Sequence, residues 1–153
     1  MNTITSNKSL ISNIVGKSTN NFVYILYTSI IGSILLAVSS KIQIPLTPVP
    51  VTLQTLVLLV MSMFLGWRSA LGATTLYLFQ GAIGLPVFAH GAGLVYLFGP
   101  TGGYLLGFIL ASVIVGFLAE RGWDRSVVLT FISLTIGTVT IYFFGVLWLA
   151  YLK

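Results

Sequence analysis

Residues 69–119, SALGATTLYLFQGAIGLPVFAHGAGLVYLFGPTGGYLLGFILASVIVGFLA, run for 51 positions without one charged side chain. In a water-soluble domain about a quarter of the residues are charged, so such a stretch belongs in a bilayer. It is also too long for one crossing, which takes about 20 residues at about 1.5 Å per residue. Pro86 and the glycines at 91, 93, 99, 102 and 103 collect in its middle. These breakers predict helices over 70–85 and 101–119, with a structured loop at 86–100 between them.

The rest of the chain repeats the pattern. It is 57% hydrophobic and 6% charged, and its charged residues leave three further uncharged runs at 18–40, 42–67 and 126–152. The first predicts a helix over 22–40 that acts as an uncleaved signal anchor. The segment Lys41-Ile-Gln-Ile-Pro-Leu-Thr-Pro-Val-Pro50 follows, where three prolines remove backbone donors and force extended geometry, giving a stiff loop at 41–50. Pro50 then opens a helix over 51–66 that ends at Trp67 and Arg68, an interfacial aromatic and basic pair. Ser126 is a candidate N-cap for the last run, which exceeds the hydrocarbon thickness and is expected to tilt or turn near Gly145. The expected fold class is therefore an all-α integral-membrane bundle of about five transmembrane helices. It divides into a polar tail at 1–21, which lacks the apolar core and cleavage site of a secretory signal, and a single transmembrane domain at 22–153.

A cytoplasmic N-terminus puts Lys8, Lys17, Arg68, Arg121 and Arg125 inside and leaves Lys41 and Lys153 outside, the bias that the positive-inside rule asks for. Loops 41–50 and 86–100 then lie on the outer face.

Several chemistries are excluded. There is no cysteine and one histidine, so neither a thiolate nucleophile nor a tetrahedral zinc site is available. His90 falls on the outer side while Glu120 and Asp124 fall on the inner one, roughly 30 Å away, which rules out a catalytic triad. The two carboxylates, set among Arg121 and Arg125, read as a solvated, charge-paired turn. No charged residue falls inside a predicted span to couple transport to ions. The phosphate-loop pattern is missing, so ATP is not bound by this chain and any uphill transport takes its energy from another subunit. The basic residues are scattered and form no nucleic-acid surface, and no cofactor is implied.

What remains is uncharged. Gly99-Pro-Thr-Gly-Gly-Tyr104 opens the helix at 101–119, and its free N–H groups suit a carbonyl or carboxylate. The same glycines, with Gly107 and Ser112, equally suit close helix packing. Ser29, Ser33 and Ala37 recur every four residues and form a small-residue stripe for an internal helix or a partner protein. Thr52 and Gln54 stand just below the outer surface, where neutral polar groups can bond to a ligand or to a neighbouring backbone.

Three blocks in order are more specific: Lys41-Ile-Gln-Ile-Pro-Leu-Thr-Pro-Val-Pro-Val-Thr-Leu-Gln-Thr55, Gly81-Ala-Ile-Gly-Leu-Pro-Val-Phe-Ala89 and Phe98-Gly-Pro-Thr-Gly-Gly-Tyr-Leu-Leu-Gly107. Over about residues 24–150 the chain closely resembles the BioY family, the biotin-binding S components of energy-coupling-factor transporters. The resemblance implies biotin as the ligand, a membrane T component and ATPase subunits as partners, and a multi-pass place in the plasma membrane. It implies no catalysis. The substrate-binding residues expected on this basis are Thr52, Gln54, Phe88, Gly91, Gly93, Thr101, Gly102, Gly103 and Tyr104. The stripe Ser29, Ser33 and Ala37 resembles the face that docks on the T component, although the family pattern is alanine-based. The family also has a sixth helix carrying Pro-Gly-Asp and a nearby Lys, and nothing at 126–153 matches it. The expectation is therefore a shortened S component with part of a pocket, the alternative being a non-transporting remnant or packing subunit. Hydrogen bonds to charged groups are worth roughly 1.5–3 kcal/mol each, so a pocket without those anchors loses about a hundredfold or more in affinity.

Overall fold

The computed structural model describes residues 22–46 and 49–153. The polar tail expected at 1–21 lies outside the described residues, as do positions 47 and 48 of the proline-rich loop. Among the described residues, five helices form a bundle: α1 (Phe22–Ser40), α2 (Gln54–Leu65), α3 (Trp67–Ala82), α5 (Gly102–Glu120) and α6 (Val127–Leu152). The single-turn α4 (Leu94–Leu97) sits in the loop before α5. Among the described residues, α1, α5 and α6, with 19, 19 and 26 residues, are each long and apolar enough to cross a membrane. α2 and α3 are shorter, at 12 and 16 residues. This all-α architecture of multiple membrane spans is the one expected.

α5 is the centre of the bundle and packs on α2, α3 and α6. Water drives little helix association within a bilayer, so close van der Waals packing must do it, and small residues permit the approach. Gly107 illustrates the effect, because a Cβ placed there would lie 2.8 Å from the Ile141 Cα of α6. α6 buries only Ser133, Gly137, Ile141 and Gly145, one face of an otherwise exposed helix. It runs unbroken to Leu152. The turn expected near Gly145 does not form, because that glycine receives the Tyr104 ring.

A single residue, Gly66, joins α2 to α3. Its φ of 87° and ψ of 172° belong to a region open essentially to glycine. The Glu120 carboxylate at the end of α5 lies against Gly66 and accepts a hydrogen bond from the Trp67 N–H, which satisfies a free donor at the start of α3. Arg68 interacts with the same carboxylate, and its guanidinium lies 5.3 Å from the centre of the Trp67 ring. These contacts define one end of the bundle.

Three boundaries differ from the expectation. The helix placed at 51–66 starts at Gln54, because Val51–Thr52 forms strand β2 and pairs antiparallel with β1, Gln43–Ile44. Pro50 therefore precedes a strand and opens no helix. β-branched Val51 and Thr52 favour extended backbone, and the Leu53 N–H extends the ladder to the Ile42 carbonyl at 2.9 Å. The helix placed at 70–85 runs from Trp67 to Ala82, so Arg68 lies in its first turn. Ser126 does precede α6 with extended backbone, yet its side chain makes no capping bond. The Thr130 hydroxyl instead donates to the Trp123 carbonyl at 3.1 Å.

Candidate functional site

At the opposite end of the bundle from Glu120, the two outer loops are tied together. Ser40 Oγ donates to the Val87 carbonyl at 2.8 Å, Lys41 Nζ donates to the Phe88 carbonyl, and Gln43 Nε2 donates to the Ala89 carbonyl at 3.2 Å. Three consecutive carbonyls of the second loop are thus held by the end of α1 and the start of the hairpin. Between this junction and helices α2, α5 and α6 lies a cavity of about 390 Å³. That volume falls within the range of about 300–1,000 Å³ typical of small-molecule sites.

Four of the expected residues line it together: Thr52, Gln54, Thr101 and Tyr104. The Thr52 hydroxyl accepts the Gln54 backbone N–H at 3.3 Å, which fixes the start of α2 at the cavity edge. The Gln54 side chain is buried and its amide nitrogen donates to the Leu36 carbonyl at 3.3 Å. Thr101 precedes α5, where its carbonyl takes the Leu105 N–H at 3.1 Å. The Tyr104 ring meets Tyr142 edge-on at 5.9 Å, closing the side between α5 and α6.

The other expected residues do not line this cavity. Phe88 is fully buried behind it, stacked on Tyr96 at 4.7 Å and edge-on to Tyr77 at 5.5 Å. The ring that reaches the cavity is Tyr96, and Phe88 supports it. Gly102 and Gly103 are packed under Trp148 of α6, so of the two readings of these glycines the structure shows helix packing. Gly93 is a turn residue with φ 90°, whose N–H donates to the Gly81 carbonyl at 2.7 Å. Gly91 borders an adjoining, more open cleft beside His90.

The small-residue stripe is also placed differently. Ser29 and Ser33 are buried and Ala37 packs against the core. Ser29 Oγ lies against Gly72 of α3 and donates to the Ser69 carbonyl at 3.5 Å. Within this chain the small side chains of α1 let it approach α3 closely.

Sequence reasoning missed Tyr96, Phe108, Thr138, Ile141 and Tyr142 as cavity residues. A signal existed for the last three, since positions 138, 141 and 142 share one helix face. Tyr96 carries none, because the turn that presents it lies in a stretch whose glycines and prolines predict a loop. Among the described residues the cavity wall carries no formal charge, and no group of three His, Cys, Asp or Glu comes together anywhere.

Comparison with known proteins accords with this geometry. A protein from Lysinibacillus sphaericus named as a probable biotin transporter BioY is 37% identical over 108 residues, covering 71% of this chain and 55% of the relative. The biotin transporter BioY of Thermotoga maritima is 47% identical over 88 residues, 57% of this chain and 52% of that protein. The biotin transporter BioY2 of Lactococcus lactis subsp. cremoris is 36% identical over 133 residues, 86% of this chain and 72% of the relative. The chain thus spans about half the length of the first two relatives. A crystal structure of the S-component for biotin from an ECF-type ABC transporter superposes with a TM-score of 0.71 at 23% identity, over 88% of this chain and 76% of that one, and shows the shared fold. The model of the BioY family matches residues 11–153, and this chain belongs to that family.

Proposed function

We propose that this chain captures biotin at the outer face of the plasma membrane as the S component of an energy-coupling-factor transporter. A membrane T component and ATPase subunits supply the driving force. The role is transport and not catalysis. The observation that carries the reading is the cavity between the tied outer loops and α5, in a chain of the BioY family. Its walls suit the parts of biotin: Gln54 and the hydroxyls of Thr52 and Thr101 for the ureido ring, and Tyr96, Tyr104 and Phe108 for the thioether bicycle. The positive-inside bias of the basic residues supports a cytoplasmic Glu120 end and an outer cavity. The test is uptake of radiolabelled biotin by cells that lack other biotin carriers and express this chain with T and ATPase subunits. Accumulation that stops when the ATPases are inactivated supports the reading. Uptake no higher than in cells without this chain contradicts it.

A further inference from the structure

Among the described residues, Tyr77 of α3 is the largest side chain with no exposure to solvent. Its ring packs edge-on against Phe88, and a phenylalanine would pack there as well. The hydroxyl oxygen is what needs an account. It is buried and makes no hydrogen bond of ordinary geometry among the described residues. A hydroxyl enclosed in that way gives up its bonds to water and costs stability unless protein groups replace them.

The polar side chains facing this oxygen are those of Gln54 and Ser40, and the Tyr96 hydroxyl lies close enough to act on it electrostatically. Gln54 and Tyr96 line the cavity, whereas Ser40 holds the Val87 carbonyl of the second outer loop. One buried oxygen therefore stands behind two walls of the cavity and behind the tie between the loops. Both partners have bonding capacity to spare. The Gln54 amide nitrogen carries two protons and gives one to the Leu36 carbonyl. Ser40 has a single proton, directed at the Ala37 and Val87 carbonyls at 2.7 and 2.8 Å, and keeps lone pairs that can accept. The terminal torsion of a glutamine is broad and soft, so the plane of the Gln54 amide is set by its partners and not by its own rotamer.

We propose, building on the function above, that Tyr77 is a positioning residue of the ligand site: its hydroxyl joins Gln54 to Ser40 from behind, fixing the plane of the amide at the cavity wall and coupling it to the tied outer loops. Tyr77 does not touch the ligand. Its effect on binding runs through Gln54.

The experiment uses Tyr77→Phe, which keeps the ring and removes the oxygen. Binding of labelled biotin to the purified full chain in detergent is measured together with the melting midpoint of the same preparation without biotin. The dissociation constant is expected to rise about three- to tenfold, the span of one net hydrogen bond. Losing a hydroxyl whose bonds are incomplete costs the fold little, so the melting midpoint is expected to stay or to rise. Unchanged affinity overturns the proposal, and so does a loss of affinity accompanied by a lower midpoint, which is the mark of a merely structural role. Both results leave the proposed function standing. In a Gln54→Leu background, adding Tyr77→Phe is expected to change affinity less than about twofold, because the group it acts through is gone. A further loss as large as in the natural chain overturns the coupling. A natural chain that binds no biotin removes the function and the positioning role together.

Discussion

The Lys41 ammonium donates a hydrogen bond to the carbonyl oxygen of Phe88, across 47 positions of sequence. With Ser40 and Gln43 on the neighbouring carbonyls, it makes the two outer loops one unit over the cavity. Lys41 is exposed to water, which discounts its charge-assisted bond to the ordinary net value of about 0.5–1.5 kcal/mol, or about two- to tenfold in an equilibrium constant. Lys41→Met is therefore expected to raise the dissociation constant for biotin by about two- to tenfold, mainly through faster release. Stopped-flow measurement of on and off rates checks this, and unchanged release would show that the tie plays no part in retention.

Phe88 acts from behind the wall. Phe88→Ala removes a fully buried ring packed between Tyr77 and Tyr96, a change that costs on the order of 3 kcal/mol. The thermal midpoint in detergent is expected to fall by several degrees, and biotin affinity to fall with it as Tyr96 loses its support. Phe88→Leu retains most of the volume and is expected to retain most of both. A full loss of binding with no change in melting would instead make Phe88 a direct contact.

Gly66 permits the reversal between α2 and α3. Any side chain there meets both a positive φ and the Glu120 carboxylate. Gly66→Ala is expected to cost at least about 1–3 kcal/mol from backbone strain. Gly93→Ala, at nearly the same backbone angles (φ 90°, ψ 174°) but with open space around its Cβ, isolates the strain from the collision. Melting curves of the two variants should show Gly66→Ala as the more damaging, and equal losses would remove the Glu120 contact from the account.

Asp124, in the turn between α5 and α6, gives the inner end a pH response. Burial pushes its carboxyl pKa up, against the opposing pull of a backbone N–H and the Arg125 charge. The native state therefore retains a proton that the unfolded chain releases near the ordinary value of about 3.9. The resulting stabilisation is complete below that pH and is lost as pH rises through the raised native value. Melting temperature is expected to decline across that window in the natural chain and to decline less in Asp124→Asn. Identical slopes in thermal scans at several pH values would contradict the assignment.

Much of the bundle was legible because charge and breakers punctuate it. The uncharged run 69–119, interrupted at Pro86 and the glycines that follow, divides into α3 and α5 as its composition predicts. The start of α2 was not legible, because Val51 and Thr52 suit strand or helix and the choice depends on a partner strand at Gln43–Ile44. The site divides along the same line. Thr52, Gln54, Thr101 and Tyr104 adjoin breaks in the chain, where polar groups stand out from apolar neighbours. Tyr96 and Phe108 belong to apolar runs in which a cavity residue and a core residue look alike. Ser29 shows the converse, a member of a periodic stripe that packs on Gly72 of α3 in the same chain.

The proposed function requires the outer cavity of this chain to hold biotin. Its most direct test is equilibrium binding of labelled biotin to the purified, monodisperse 153-residue chain in detergent, alongside Gln54→Leu. Saturable binding between nanomolar and low-micromolar biotin, weakened about tenfold or more by the substitution, is the predicted result. A folded preparation that binds no biotin, or one whose binding is indifferent to Gln54, would contradict the assignment of this cavity.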